Sequence, residues 1–276
     1  MLNRIALLSI FFVCGTCLYN AESVKWHRYP YIVKVLAREL KSKNGTTCTG
    51  SLISESAVLT SAKCFPNPEM EYEAMAIIAV PGSRKVMRKA MLEFRIDEDI
   101  AVMRIDTIVS RRFCDKPPHP SRISRLNFKP SLTEGSFHLV DPKELAKLRC
   151  RIVGFETVDK VDDFHKSNKA QVLELELQYE GKSVMFSEIY SNTTGTACWD
   201  DIGAPLECAL NEEDVWIQVG IVNSLYGRIE ETKTQADATC SNVEAMEFIV
   251  FNNDALIRSI DIVDKIGVFS AAHKCF

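Results

Sequence analysis

Cysteine is the residue type that most limits how this chain can fold. There are ten in 276 residues, and two of them, Cys14 and Cys17, lie in or beside an apolar stretch at the N-terminus. The other eight, Cys48, Cys64, Cys114, Cys150, Cys198, Cys208, Cys240 and Cys275, form an even set spread along the chain. In an exported protein such a set reads as a disulfide framework. Zinc is the rival reading, but no pair among the eight has the close spacing of a zinc knuckle, and no histidine pair sits at helical spacing. Export is indicated by the first residues: Arg4 supplies a short positive region, and Ile5 to Val13 form an apolar run too short to span a bilayer, with the small residues Gly15 and Thr16 behind it. A buried N-terminal helix is the other reading of that run. We expect a signal peptide over residues 1–17, cleaved between residues 15 and 21, and a secreted, extracellular chain over 18–276. No later segment is long and apolar enough to anchor it. The sequons Asn44-Gly45-Thr46 and Asn192-Thr193-Thr194 make Asn44 and Asn192 candidate glycosylation sites.

A net charge of -4 carries no basic excess of the kind that neutralises phosphates, so nucleic acid is not an expected partner. Short apolar or alternating runs recur at Tyr31 to Leu36, Ser51 to Thr60, Ala74 to Val80, Ile100 to Ile105, Arg151 to Phe155, Ala170 to Leu177 and Val215 to Val222. Polar or Gly/Pro-bearing stretches separate them, which is the pattern of all-β barrels or sandwiches. Prolines at 117, 118, 120 and 130 break both helix and central strand across Arg112 to Pro130, and predict a connection between two halves with a boundary near residue 122. At the end, Asn253 or Asp254 could cap a helix over about 254–266, whose Leu256, Ile257, Ile260 and Val263 share one face. No Gly-rich phosphate loop or dinucleotide fingerprint is present, and no cofactor is expected.

Five segments carry a resemblance. Cys48-Thr49-Gly50-Ser51-Leu52-Ile53, continuing to Val58-Leu59-Thr60-Ser61-Ala62-Lys63-Cys64, resembles the segment in which trypsin-like serine proteases place the catalytic histidine just before a cysteine; Lys63 stands there. Asp99-Ile100-Ala101-Val102 is similar to the strand whose aspartate orients that histidine. Cys198-Trp199-Asp200-Asp201-Ile202-Gly203-Ala204-Pro205 stands where the family has Gly-Asp-Ser-Gly-Gly-Pro, with Ile202 in the nucleophile's place. Cys150-Arg151-Ile152-Val153-Gly154 resembles the start of the second barrel, and Trp216-Ile217-Gln218-Val219-Gly220 the strand leading to the cleft. The resemblance implies two six-stranded antiparallel barrels, over about 30–122 and 123–252, with the C-terminal helix after them. It also implies disulfides Cys48–Cys64, Cys150–Cys208 and Cys198–Cys240, which leaves Cys114 and Cys275 as the last pair.

Acyl transfer in that family needs a hydroxyl nucleophile, a base that titrates near neutrality, and backbone donors aimed at the developing oxyanion. Ile202 has no nucleophilic atom. Lys63, if charged beside Asp99, donates protons and accepts none. The five histidines, His27, His119, His138, His165 and His273, lie outside the matching segments. At the oxyanion position the family's glycine is Asp200, whose charge would repel the one the hole stabilises. Asp99 then reads as a retained structural acid. Asp201 corresponds to the aspartate that receives the amino terminus freed by zymogen cleavage; no Ile-Val-Gly-Gly sequence supplies one, so Asp201 either caps a loop or pairs with a terminus near Leu18 made by signal peptidase. Thr196 replaces the carboxylate of a trypsin-like pocket, and Asn223-Ser224-Leu225 replaces its Ser-Trp-Gly edge, so that Leu225 intrudes on substrate. The expected function is a non-catalytic protease homologue that binds another secreted or surface protein. The alternative is a serine-type endopeptidase with a displaced catalytic group, for which Ser191, Thr193 and Thr194 supply hydroxyls.

Overall fold

The computed structural model describes residues 21–42, 44–53, 56–80, 84–96, 99–105, 124, 141–155, 169–181, 184–188, 195–209, 216–227 and 243–251. Six strands make the first half: β2 (Ile32–Glu39), β3 (Gly45–Leu52), β4 (Ala57–Ser61), β5 (Tyr72–Val80), β6 (Arg84–Ile96) and β7 (Ile100–Ile105). They close into an antiparallel barrel in the order β2-β3-β4-β7-β6-β5. Closing a sheet requires sharp bending, and the longest strand, β6, takes it at a bulge between Leu92 and Phe94. All five residues of β4 are buried, because one face fills the barrel while the other packs outward against the second half. That double burial is why Ala57-Val58-Leu59 reads as an unbroken apolar run and not as an alternation.

The second half is an eight-stranded sheet in the order β1-β9-β8-β12-β13-β14-β11-β10. Its strands are β1 (Glu22–Lys25), β8 (Cys150–Phe155), β9 (Lys169–Leu175), β10 (Gln178–Gly181), β11 (Val184–Glu188), β12 (Pro205–Ala209), β13 (Trp216–Gly227) and β14 (Val243–Val250). The expectation of six strands closed on themselves is therefore corrected: among the described residues this sheet has eight strands and two edges. One edge is made by the start of the described chain, since β1 pairs with β9 from Glu22 opposite Val172 to Lys25 opposite Lys169. The other is β10, which hairpins onto β11 past Gly181, whose φ of 120° suits glycine. A 3-10 turn at Trp26–Arg28 then carries the chain from the second sheet to the first barrel. Trp26 is buried there, its Nε1 donating to Ile32 O at 3.1 Å and its ring edge-on to Phe155 at 4.7 Å.

Cys48 is bonded to Cys64 and Cys150 to Cys208, with Cα atoms 6.1 and 4.1 Å apart. Cys198 is also held in a disulfide. Cys114, Cys240 and Cys275, the segment expected to be a signal peptide, the sequon at Asn192 and the helix expected over 254–266 lie outside the described residues. Within the proline-rich connection, Ser124 is described. It is buried, donates its N–H to Leu52 O at 2.8 Å and its hydroxyl to Gln218 Oε1 at 2.6 Å, and so ties β3 to β13. No helix among the described residues is long and apolar enough to cross a membrane.

Candidate functional site

The turn that carries Lys63 is tied to Asp99 through the backbone. Where β4 ends, Ser61 Oγ accepts the Lys63 N–H at 3.2 Å and so caps a 3-10 turn over Ala62–Cys64. Ala62 N–H donates to Asp99 O at 2.9 Å, and Cys64 is bonded to Cys48 on β3. The two side chains do not pair. Asp99 Oδ1 accepts from Asn223 Nδ2 at 3.1 Å, while the exposed Lys63 ammonium reaches across to donate to Ser224 Oγ. An ion pair between Lys63 and Asp99, which the sequence permits, is therefore replaced by separate contacts to neighbouring residues of β13.

Those contacts converge on Glu247 of β14. Asn223, 2% exposed, gives its second amide hydrogen to Glu247 Oε1 at 2.8 Å and accepts from Ser61 Oγ at 3.3 Å. Ser224 Oγ donates to Glu247 Oε1 at 3.1 Å, and Tyr226 OH donates to Oε2 at 2.7 Å. Burial pushes the Glu247 carboxyl up, but the bonds from Tyr226, Asn223 and Ser224 and the charge of Lys63 outweigh it and hold the group below the usual glutamate range. The Tyr226 hydroxyl is raised in turn, first by its bond to Glu247 and then by burial. Glu247 was not identified from the sequence. The signal was its place in Val243 to Val250, on the face opposite the buried Met246 and Phe248.

The loop at the nucleophile's position is fixed from below. After a 3-10 turn at Trp199–Asp201, Ile202 is 7% exposed and belongs to the hydrophobic core, and its carbonyl accepts from Thr49 N at 3.0 Å. Asp200 turns its carboxylate to Thr47 Oγ1 on β3, and its carbonyl accepts from Thr49 Oγ1 at 2.8 Å. Asp201 is fully buried. Its Oδ2 accepts the Cys198 N–H at 2.9 Å and its Oδ1 the Phe155 N–H at 3.3 Å, so it caps its own turn and holds that turn on β8. Burial raises its pKa; the amide of Cys198 opposes this, the neighbouring charge of Asp200 adds to it, and the outcome is about 7.

Of the residues expected at the specificity pocket, Thr196, Asn223 and Leu225 are buried. Leu225 is 7% exposed and stands opposite Met246, which is fully buried. Ala197 N lies 3.3 Å from Met246 Sδ, and the buried Thr196 turns its hydroxyl onto Ala197 O at 3.1 Å. Met246 also escaped the sequence reading. Of the histidines, His27 is described and exposed, in the turn before β2; the others, with Ser191, Thr193 and Thr194, lie outside the described residues.

The Trypsin family model matches residues 19–239. Among solved structures, HL collagenase is similar in fold, with a TM-score of 0.54 over 84% of this chain and 92% of that one, at 13% identity. No curated protein matches the sequence. The barrel, the second sheet, the disulfides joining Cys48 to Cys64 and Cys150 to Cys208, and a family match across both halves lead to one conclusion: the chain belongs to the trypsin family.

Proposed function

We propose that this chain is a secreted, non-catalytic member of its family, which binds another secreted or surface protein through loops carried on the two sheets. The observation that carries the reading is Ile202, a side chain without a nucleophilic atom, packed in the core where the family presents its serine. The base position supports it: the Lys63 ammonium is a donor, and its neighbour Ser224 already gives its proton to Glu247. Leu225, which the family resemblance sets where glycine would leave room for a substrate side chain, is buried opposite Met246, and this supports the same reading. Disulfides at Cys48–Cys64 and Cys150–Cys208 accord with an oxidising, extracellular location.

The rival reading, an endopeptidase with a displaced nucleophile, has the contact of Ser224 Oγ with Lys63 Nζ in its favour. Activation there would require a base to take the Ser224 proton, but Lys63 Nζ stands as a donor to Ser224 Oγ, whose own hydrogen is given to Glu247 Oε1. Intact-mass analysis after treatment with an active-site phosphonate separates the two. We expect an unchanged mass. A stoichiometric adduct on Ser224, Ser191, Thr193 or Thr194 that is lost on prior unfolding would overturn the non-catalytic reading.

A further inference from the structure

One carboxylate in this protein already shows what its surroundings are built to hold. Arg151 on β8 stands opposite Glu207 on β12, and its Nε and Nη2 donate to Glu207 Oε2 at 3.0 and 2.9 Å. Tyr31 OH donates to the other oxygen. The guanidinium lies 3.9 Å from the Trp216 ring centroid and 5.3 Å from that of Tyr29. A phenol on one oxygen, a guanidinium on the other and rings beneath the guanidinium combine charge-assisted bonding with cation-π contact.

The same ingredients, without the guanidinium, recur on the outer face of the second sheet. Phe186 on β11, Glu247 on β14 and Ser224 on β13 are register partners in one row, and Tyr226 lies two residues along on the same face. The rings of Phe186 and Tyr226 are 5.9 Å apart and tilted by 36°. Tyr226 is 46% exposed, so its ring is open to a planar cation from outside. Each carboxylate oxygen can accept two bonds. Oε1 of Glu247 is filled by Asn223 and Ser224, whereas Oε2 receives Tyr226 alone among the described residues and keeps one position. A cation already stands at the rim, because Lys63 touches Ser224. Against its single charge are the carboxylates of Glu247 and of Asp99, both bonded to Asn223.

We infer that Phe186, Tyr226 and Glu247 form a seat for the guanidinium of an arginine on a partner protein. The seat deepens the binding reading given above and rests on it. Arginine fits better than lysine because a planar guanidinium can stack on the rings while forking to a carboxylate oxygen, which a compact, strongly hydrated ammonium cannot do. The exposed Lys63 is a tethered competitor that swings away at little cost, and the chain's net charge of -4 favours a basic partner.

The test is a titration of the whole mature chain with N-acetyl-arginine amide, followed by shifts of the Phe186 and Tyr226 ring resonances. N-acetyl-citrulline amide, of the same shape without the charge, and N-acetyl-lysine amide serve as comparisons. The arginine probe should bind at least about tenfold more tightly than citrulline and more tightly than lysine, and Glu247→Gln should remove that preference. Tyr226→Leu, at an exposed position that folding tolerates, should weaken arginine binding as well. Lys63→Ala should tighten it severalfold. Equal binding of arginine and citrulline, preference for lysine, or arginine binding that survives Glu247→Gln would each overturn the seat. Hydrolysis of peptide esters by the unmutated chain would sink the non-catalytic reading and leave this titration unchanged, so the two fail separately.

Discussion

Gly203 decides how the loop at Ile202 can turn. Its φ is 84°, and a Cβ there would come within 2.2 Å of Thr60 Oγ1, 2.3 Å of Thr49 O and 2.8 Å of Ser61 N. Two of those atoms are backbone of the first barrel and cannot move aside. Gly203→Ala should therefore destabilise the fold by about 3 kcal/mol or more, read by denaturant unfolding, because strain and overlap add. Asp201 makes a prediction of opposite character. Its folded pKa of about 7 lies above the value near 4 of an unfolded aspartate, so between those pH values the native state holds a proton that the unfolded chain has lost. Its contribution to stability is complete below about pH 4 and is lost as pH rises to about 7, a change on the order of a few kcal/mol. Asp201→Asn should flatten that slope. It should also cost about 1–3 kcal/mol at low pH, since an amide can accept only one of the two N–H groups at Cys198 and Phe155. Stability that rose with pH over this window would instead mean that a cation, such as the mature amino terminus, pairs with Asp201.

At the scale of elements, β8 and β12 are joined by a charge pair whose side chains are 13% and 4% exposed, Arg151 and Glu207. Removing Arg151 leaves the buried Glu207 charge with the Tyr31 hydroxyl but no cation, so Arg151→Ala should cost about 3–5 kcal/mol in the same unfolding measurement. Lys147→Ala, which breaks a pair whose side chains are 69% and 60% exposed, should stay within about 0.5 kcal/mol. Which strands could be read from the sequence follows from where they lie. β7 is legible over its whole length because Ile100 to Ile105 is apolar except for the exposed Arg104 and is bounded by Asp99 and Asp106. The run Ser51 to Thr60 reads as one strand, yet the chain turns back after Leu52 and resumes at Ala57, with Ile53 N–H on Ala57 O at 3.0 Å. Burial on both faces leaves no alternation to mark that turn. β6 hides for the opposite reason: its outward side carries Lys89, Met87 and Met91, and the small Ala90 is a weak apolar signal inside. The positions of Lys63, Asp99 and Ile202 were legible because their neighbours keep a motif. Glu247 and Met246 were not, because two glutamates interrupt the apolar pattern of β14.

For the molecule as a whole, maturation and covalent closure are the open expectations. N-terminal sequencing should find one species that starts between residues 16 and 22. A start beyond Arg28 would delete β1 and the buried Trp26, and with them the edge of the second sheet. Mass mapping of the unreduced protein should find four disulfides and no free thiol, including a Cys114–Cys275 bond worth roughly 4 to 5 kcal/mol through loop closure; a free thiol at either would refute that pair. The central claim is absence of catalysis. Removing the triad from an active enzyme of this type costs on the order of a million-fold, and the remaining 10^3 to 10^4 over water comes from the oxyanion hole and binding. If Asp200 spoils the oxyanion hole and Leu225 the cleft, as the proposed reading holds, that remainder should be missing too. The most direct measurement is peptide-ester hydrolysis by the chain purified free of other proteases, run beside the double variant Ile202→Ser with Lys63→His. Both should match the buffer rate. Turnover by the double variant would mean an intact oxyanion hole and cleft, and turnover by the unmutated chain would contradict the account outright.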